Sequence, residues 1–595
     1  MAAQPKDEGG VGLTRTLSLT AAIAAACGGF LLFLQYGASD GLDIIDVLRS
    51  ALIFASTFWL AWGAAQAIAG LTSRPLARPR TTGPISTRTA ILVPVYNEDP
   101  VATFARIAAM EASLRQTGFG DLFHFAILSD TRDDRIAAKE RHWFLRLLAE
   151  TGAEGRMFYR RRQNNKGRKA GNIEDFINTS GAAYPFAIIL DADSLMEGET
   201  MVELVRRMEA APDLGLLQTL PVIIHAKSRF GRVMQFAGAF YSPIFARGLA
   251  MMQGKTGPFW GHNAIVRVRA FAESCGMPAL SGKPPFGGHI LSHDYVEAAL
   301  LARAGWTVRV DDDIQGSYEE GPENIVDHAK RDRRWCQGNL QHARLLLAPG
   351  LRMWSRFVFL QGILAYIAPV FWLAFLGASI LAPLFAAPID YFPIKDWPFP
   401  VLPVSQASKA LGLAVGVVGL LFVPKILIVI DAALRGRARA FAGGARALQS
   451  TLVELLFSSI TAPIFLMYQT RSVLQVLRGA DGGWPAQTRG DGSLTLAQAW
   501  SASHWMVTNG VIGLGLANWF APALVPWLLP VALPLVLAPV IISWSSRQSQ
   551  SRLFLTPTER HPSAVINLQH LILTRWQGKE TPVEPDLPGP AVMNA

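Results

Sequence analysis

Ala187-Ile188-Ile189-Leu190-Asp191-Ala192-Asp193 is the stretch on which the reading of this chain turns. An unbroken apolar run of this kind suits a strand buried on both faces, as in a parallel sheet covered by helices. The run stops on two carboxylates separated by one residue. Ligands of open α/β sheets sit beyond the carboxyl ends of the strands. A carboxylate pair at such an edge suits a magnesium ion held against phosphate oxygens. The same residues also suit a solvated turn with a helix-capping carboxylate. The surroundings must separate these readings.

From about Arg80 to Leu351 the chain alternates strand-like and helix-like texture. Ala90 to Tyr96 reads as a buried strand and Val101 to Gln116 as a helix. Phe123 to Leu128 reads as a second strand, ending at Ser129-Asp130. A helix follows from about Asp134 to Glu150, then a short strand at Met157 to Tyr159. This alternation predicts a mainly parallel sheet with helices on both faces. Asn97-Glu98, Asp130 and Asp191/Asp193 all fall at carboxyl ends of the strands.

Membrane-length apolar runs flank this block. Two precede it, about Leu17 to Tyr36 and Val47 to Leu71, and each matches the roughly 20 residues needed to cross a bilayer core. After it come runs at about Arg356 to Ala387, Leu411 to Ile430, His504 to Phe520 and Leu524 to Trp544. The run at about Leu448 to Leu477 carries Glu454, Pro463 and Arg471 and has basic flanks on both sides. It predicts a broken, re-entrant or interfacial element, with two closely spaced crossings as the alternative. The expected organisation is a transmembrane pair over 1–72, a cytoplasmic α/β domain over 73–352, membrane helices over 353–552 and a polar, partly disordered tail over 553–595.

Half of the residues are apolar and 17% are charged, against near a quarter charged in a soluble enzyme. The net charge is +10. Much of the excess lies beside the apolar runs, at Arg74, Arg78, Arg80, Arg435, Arg437, Arg439, Arg446, Arg547 and Arg552. That is the positive-inside pattern, so no nucleic-acid partner is expected. Cys27, Cys275 and Cys336 form no CxxC pair, and neither a zinc site nor a disulfide framework is supported.

Further motifs each allow two readings. Asp130 caps a helix or contacts a nucleotide base. Lys166-Gly167-Arg168-Lys169-Ala170-Gly171-Asn172 is a solvated basic loop or a phosphate-approaching one. Asp294 in Ser292-His293-Asp294 is a helix N-cap or a general base. Arg333-Arg334-Trp335 is a basic membrane flank, or a diphosphate partner with an indole beneath a sugar.

Their order along the chain is the specific signal. Asn97-Glu98, Asp130, Lys169-Ala170-Gly171-Asn172, Asp191-x-Asp193, Gln218-Thr219, Gly261-His262-Asn263, His293-Asp294 and Arg331-x-x-Arg334-Trp335 run in sequence through one domain. This resembles the processive, inverting family-2 glycosyltransferases, such as the cellulose, hyaluronan and chitin synthases, over about residues 88 to 350. The resemblance implies a GT-A α/β fold inserted between transmembrane helices. It implies Asp294 as catalytic base and Asp191 and Asp193 as holders of Mg2+ (or Mn2+) and of the donor, with Asp193 at the reacting diphosphate. Asn97, Glu98, Asp130, Lys169, Arg331 and Arg334 would complete the UDP-binding set. Trp260, Gly261, His262, Asn263, His293 and Trp335 would form the acceptor side.

The sequence departs from that pattern where His293 stands in place of Glu, Arg331 in place of Gln, and Trp260-Gly261-His262-Asn263 lacks the usual Cys. These departures bring the chain nearest to the glucosyltransferase H family of osmoregulated periplasmic glucan synthases. That likeness implies polymerisation of glucose from UDP-glucose into a β-1,2-linked backbone, in the bacterial inner membrane. The catalytic domain and both termini are then cytoplasmic. The implied partners are UDP-glucose, the growing glucan, membrane lipids and acyl carrier protein. A non-processive transferase acting on a lipid phosphate is the alternative. A loop at Gly482 to Arg489 stands where cellulose synthases carry a gating loop. Trp59, Trp62, Tyr366, Phe371 and Trp372 suit either sugar stacking in a channel or ordinary aromatic packing, and Glu454 suits a polar channel wall.

Overall fold

The computed structural model of the chain describes residues 8–37, 42–73, 83–386, 391, 398–400, 407–480 and 492–578. The gating-loop candidate 482–489, Arg74, Arg78 and Arg80, and most of the stretch 387–406 lie outside the described residues.

Ten strands carry the catalytic block: β1 (Thr89–Val95), β2 (Phe123–Ser129), β3 (Met157–Arg161), β4 (Phe186–Ile189), β5 (Leu195–Met196), β6 (Leu214–Gln218), β7 (Val222–Ile224), β8 (Ala264–Arg267), β9 (Thr307–Val310) and β10 (Ser317–Glu320). Seven of them pair in the order β3-β2-β1-β4-β8-β6-β9, and β5-β10-β7 form a second, small sheet. Strands β1 to β4 are parallel, as the apolar runs predict. The sheet is mainly parallel, as expected: β6 and β9 run the same way too, and of its seven strands β8 is the one reversed, antiparallel to both β4 and β6. Its reversal has a use. Ala264 opens β8 opposite Ile189 and Gln218, so the loop before it emerges at the same edge as the carboxyl ends of β4 and β6.

Strand alternation divides the core. Ile91 and Val93 pack with Phe104, Ile107 and Met110 of helix Pro100–Gln116 on one face. Ala90 and Leu92 pack with Ile173, Phe176 and Ile177 of helix Arg168–Ser180 on the other. Both faces are therefore covered, which leaves the strand ends as the accessible edge.

The tail, expected to be partly disordered, is helical over part of its length. Helix Ala564–Gln577 docks on the catalytic block, and its Val565, Ile566, Ile572 and Trp576 join the same core as β1 and β2. Trp576 is fully buried against Trp143, with ring centroids 4.9 Å apart. Its indole N–H donates to Glu150 Oε1 at 3.0 Å, and Arg575 pairs with the same carboxylate. The spacing of Val565, Ile572 and Trp576 makes one apolar helix face, which cannot remain solvated cheaply.

Among the described residues five helices are long and apolar enough to cross a membrane: Gly10–Gly37, Ile44–Thr72, Met353–Leu384, Ser408–Leu434 and Gly444–Leu477. The last corrects the expectation of a broken element, for it is one continuous 34-residue helix. Its polar residues find partners on other helices. Glu454 is buried and accepts from Lys425 Nζ at 2.7 Å and from the Tyr241 hydroxyl at 3.1 Å. Arg471 lies over the Trp505 ring at 4.9 Å. The break falls later, where Pro522–Val536 and Ala538–Ser546 meet at 56°. Pro539 lacks the N–H that would continue the helix there. Helix Leu496–Phe520, expected as a span over 504–520, carries Gln498, His504, Asn509 and Asn518 and is not among the five.

Helix Arg229–Gln253 ties the catalytic block to the second apolar helix. A Cβ at Gly70 would lie 1.9 Å from the Ile244 carbonyl oxygen, and one at Gly248 would lie 1.9 Å from that of Gln66. Only glycine permits this crossing. The aromatic candidates Trp62 and Tyr366 are packed, Trp62 against Trp354 and Phe357 and Tyr366 through its hydroxyl to Asp332.

Candidate active site

One cavity of about 380 Å³ opens at the carboxyl ends of β1, β2 and β4. Of the residues expected in the site, Glu98, Asp130, Lys169, Asp191, Asp193, Trp260, Gly261, His262, His293, Asp294, Arg331, Arg334 and Trp335 line it. Asn97 and Asn263 are not among the residues that line it. Asn97 has φ +51° and braces the neighbouring loop: its N–H donates to Thr131 Oγ1 at 2.9 Å and its Oδ1 accepts from the Arg132 N–H. Asn263 is fully buried, and its amide donates to Ser317 Oγ and the Tyr318 carbonyl.

The donor-side carboxylates are compensated. Asp130 takes a bidentate pair from Arg162, Nε to Oδ1 and Nη2 to Oδ2, both 2.8 Å, and a third bond from Asn172 Nδ2 at 3.0 Å. A carboxylate offers about four acceptor directions, and these bonds fill three of them. Asp191 pairs with Lys169, whose ammonium also donates to the Gly261 carbonyl at 2.7 Å. Burial opposes its ionisation, but Lys169, His262 and Arg331 hold its carboxyl well below the usual carboxylate range.

The turn fits a divalent ion of the GT-A type in part. Asp191 and Asp193 line one cavity, yet among the described residues no three acidic, His or Cys side chains gather closely enough to form a complete ligand shell. An ion there would draw its remaining ligands from a diphosphate and water, as magnesium does.

The acceptor loop Trp260–Asn263 is held from β6. Gln218 accepts from the Trp260 N–H and donates to the His262 carbonyl, each at 3.0 Å. Gly261 turns at φ +82°, and a Cβ there would stand 3.5 Å from the Asp294 side chain. Behind the loop His262 Nε2 lies 3.5 Å from Glu319 on β10. Burial raises the Glu319 carboxyl; His262 and Arg331 oppose that rise, and Asp193 and Asp191 add to it more weakly.

Asp294 lies in the first turn of helix His293–Arg303. Its Oδ1 is buried and, among the described residues, accepts no hydrogen bond. Burial raises its carboxyl above the ordinary value. Helix Ile325–Gln341 brings Arg331, Arg334 and Trp335 to the cavity. It packs tightly on Ser292, because a Cβ at Gly338 would stand 2.2 Å from the Ser292 hydroxyl. Arg331 lies over the Trp335 ring at 4.6 Å, and Trp335 is 44% exposed. Asp332 anchors this helix to the membrane helices, accepting from Tyr366 at 3.0 Å and Gln469 at 3.1 Å.

Arg162, Glu297 and Glu319 were not found by sequence reasoning. Arg162 stands in a run of arginines at the end of β3, a signal open to reading. Glu297 and Glu319 carry none.

The mixed α/β sheet, with carboxylates, the loop before β8 and a basic helix gathered on one edge, is that of a GT-A glycosyltransferase. The sequence matches the glycosyl transferase family 2 over residues 90–274 and the glycosyl transferase family group 2 over 186–418. It is 66% identical over 585 residues to the glucans biosynthesis glucosyltransferase H of Cereibacter sphaeroides, covering 98% of each chain. It is 40% identical to that of Rhodopseudomonas palustris, covering 94% of this chain and 79% of the relative. The chain belongs to the glucans biosynthesis glucosyltransferase H family. Among solved structures, a mannosyltransferase of Pyrobaculum calidifontis in complex with GDP-Man and Mn2+ aligns over 72% of this chain and 99% of its own, at 15% identity and a TM-score of 0.43.

Proposed function

We propose that this glucosyltransferase is inverting and processive, and that it polymerises glucose from UDP-glucose into the β-1,2-linked backbone of periplasmic glucans. The observation that carries this reading is the shared cavity. Asp191 and Asp193, Asp294, and the Arg331–Arg334–Trp335 helix meet in it, and that helix is tied through Asp332 to two helices of membrane length. A polymer growing over Trp335 would start at the entrance to the bilayer.

In this reading Asp130 and the first turn of helix Arg168–Ser180, with Arg168 and Lys169, hold the nucleotide, and Arg331 and Arg334 face the diphosphate. Mg2+ or Mn2+ at Asp191 and Asp193 would supply charge for the leaving UDP. Asp294 takes the proton from the acceptor hydroxyl. That oxygen bonds to the anomeric carbon as the bond to UDP breaks, so an α-linked donor yields a β-linked product. Trp260, His262 and Trp335 shape the acceptor side. The domain and both termini face the cytoplasm of a bacterium, the helices lie in its inner membrane, and the product is exported. Acyl carrier protein is a partner by family likeness alone.

Purified enzyme in lipid, given UDP-glucose and magnesium, is the test. A β-1,2 polymer that lengthens without release is expected. A single glucose on a lipid phosphate would establish the non-processive alternative, and another linkage would overturn the product assignment.

A further inference from the structure

The start of helix His293–Arg303 holds a pair, the part-buried His293 at the cavity wall and the buried Glu297 behind it, that no part of the proposed reaction uses. His293 Nδ1 lies 3.0 Å from Glu297 Oε2, one helical turn further on. Glu297 is 3% exposed, and a carboxylate is rarely buried so deeply without a partner. Between them in sequence stands Asp294, with its orphaned Oδ1. Asp130 and Asp191 meet Arg162 and Lys169 directly, whereas among the described residues no arginine or lysine pairs with Asp294 in that way.

We propose that Glu297 and His293 are positioning residues for the base: Glu297 holds the His293 ring as an imidazolium, and that fixed positive charge keeps the adjacent Asp294 ionised while leaving its oxygen bare to receive a proton. This rests on the reading of Asp294 as base. The groups facing the pair are few. Asp294 and Tyr295 come from the same helix, Lys169 from helix Arg168–Ser180, and Cys275 from the end of helix Val268–Ser274, its Sγ 3.7 Å from the Glu297 carbonyl.

Charge follows the geometry. Burial works against a charged His293, but Glu297 and Asp294 outweigh it and lift the imidazole above its ordinary value. Burial pushes Asp294 up, His293 opposes it, and Glu297 adds to it more weakly. A base must be ionised yet not so stabilised that it loses basicity. A neighbouring cation ionises it without occupying its lone pairs. When Asp294 accepts the acceptor's proton, the remaining His293–Glu297 pair is neutral overall.

The test is the pH profile of kcat for three variants in the full-length, lipid-embedded enzyme. His293→Gln leaves Glu297 uncompensated beside Asp294, so the acid limb moves to higher pH, by about one pH unit or more. Glu297→Gln moves it less, because it removes a repelling carboxylate along with the support of His293. The double variant recovers part of the His293→Gln displacement. Donor KM stays within about twofold in all three. A pair that only stiffens the helix gives equal losses at every pH, no displaced limb and no recovery in the double variant, and that result overturns the proposal. Asp294→Asn separates the two ideas. If it turns over normally, the base assignment itself fails. If it binds donor without transfer while the His293→Gln limb stays in place, only the role of the pair fails. Should His293→Gln not fold, the Glu297→Gln displacement decides alone.

Discussion

The two halves of the cavity treat their carboxylates in opposite ways. On the donor half Asp130 meets Arg162 at 2.8 Å and Asp191 meets Lys169, both through direct ion pairs. On the acceptor half Asp294 has a buried oxygen with no hydrogen-bond donor among the described residues. Under the proposed function the difference follows from what each must do. A carboxylate that holds a nucleotide or a metal works as a permanent charge, and paired cations keep it charged. A carboxylate that removes a proton must keep a free lone pair and a basicity near the working pH.

The sharpest way to break this contrast is Asp294→Asn. It should lower kcat about 100- to 10,000-fold while calorimetry shows UDP-glucose binding retained. Comparable turnover would remove Asp294 from the chemistry. Next comes Trp576→Ala, which empties a fully buried position beneath the donor half. A loss of about 3–5 kcal/mol is expected for such a truncation, read as a lower melting temperature and earlier proteolysis of the tail. An unchanged melting curve would mean that the docked helix adds nothing to the donor half. Arg162→Ala strips Asp130 of its cation. The donor KM should rise roughly thirty-fold, about 2 kcal/mol, with the acceptor KM unchanged. An unaffected donor KM would show that Asp130 does not serve the nucleotide. The smallest effect falls on the open side, where Trp335→Ala removes an exposed ring beneath Arg331. About 1 kcal/mol, or fivefold in acceptor KM, is expected. A change confined to the donor KM would move Trp335 to the other half.

The donor half was the more legible in the sequence. Strands β1 to β4 are short apolar runs with polar residues at their ends, and local composition suffices to find them. Strands β5 to β10 on the acceptor half escape that reading. β5 has two residues, and β10 is Ser317-Tyr318-Glu319-Glu320, a polar edge whose pairing with β7 spans about a hundred positions. Glu319 becomes part of the site only through that pairing. The 444–477 helix misled for a related reason. Glu454 and Pro463 argue for a break, but the Lys425 that neutralises Glu454 belongs to another helix. Helix 564–577 carried a readable apolar face, hidden in a polar, proline-rich tail.

Residue order along the chain was enough to establish the family, the first four helices of membrane length and the carboxylates at the strand ends, because each is a local pattern of polarity and spacing. Three-dimensional packing settled the direction of β8, the partners of Asp130 and Asp191, and the isolation of Asp294. Those depend on residues far apart in sequence that meet across a sheet edge, where charge compensation is a property of distance and not of order.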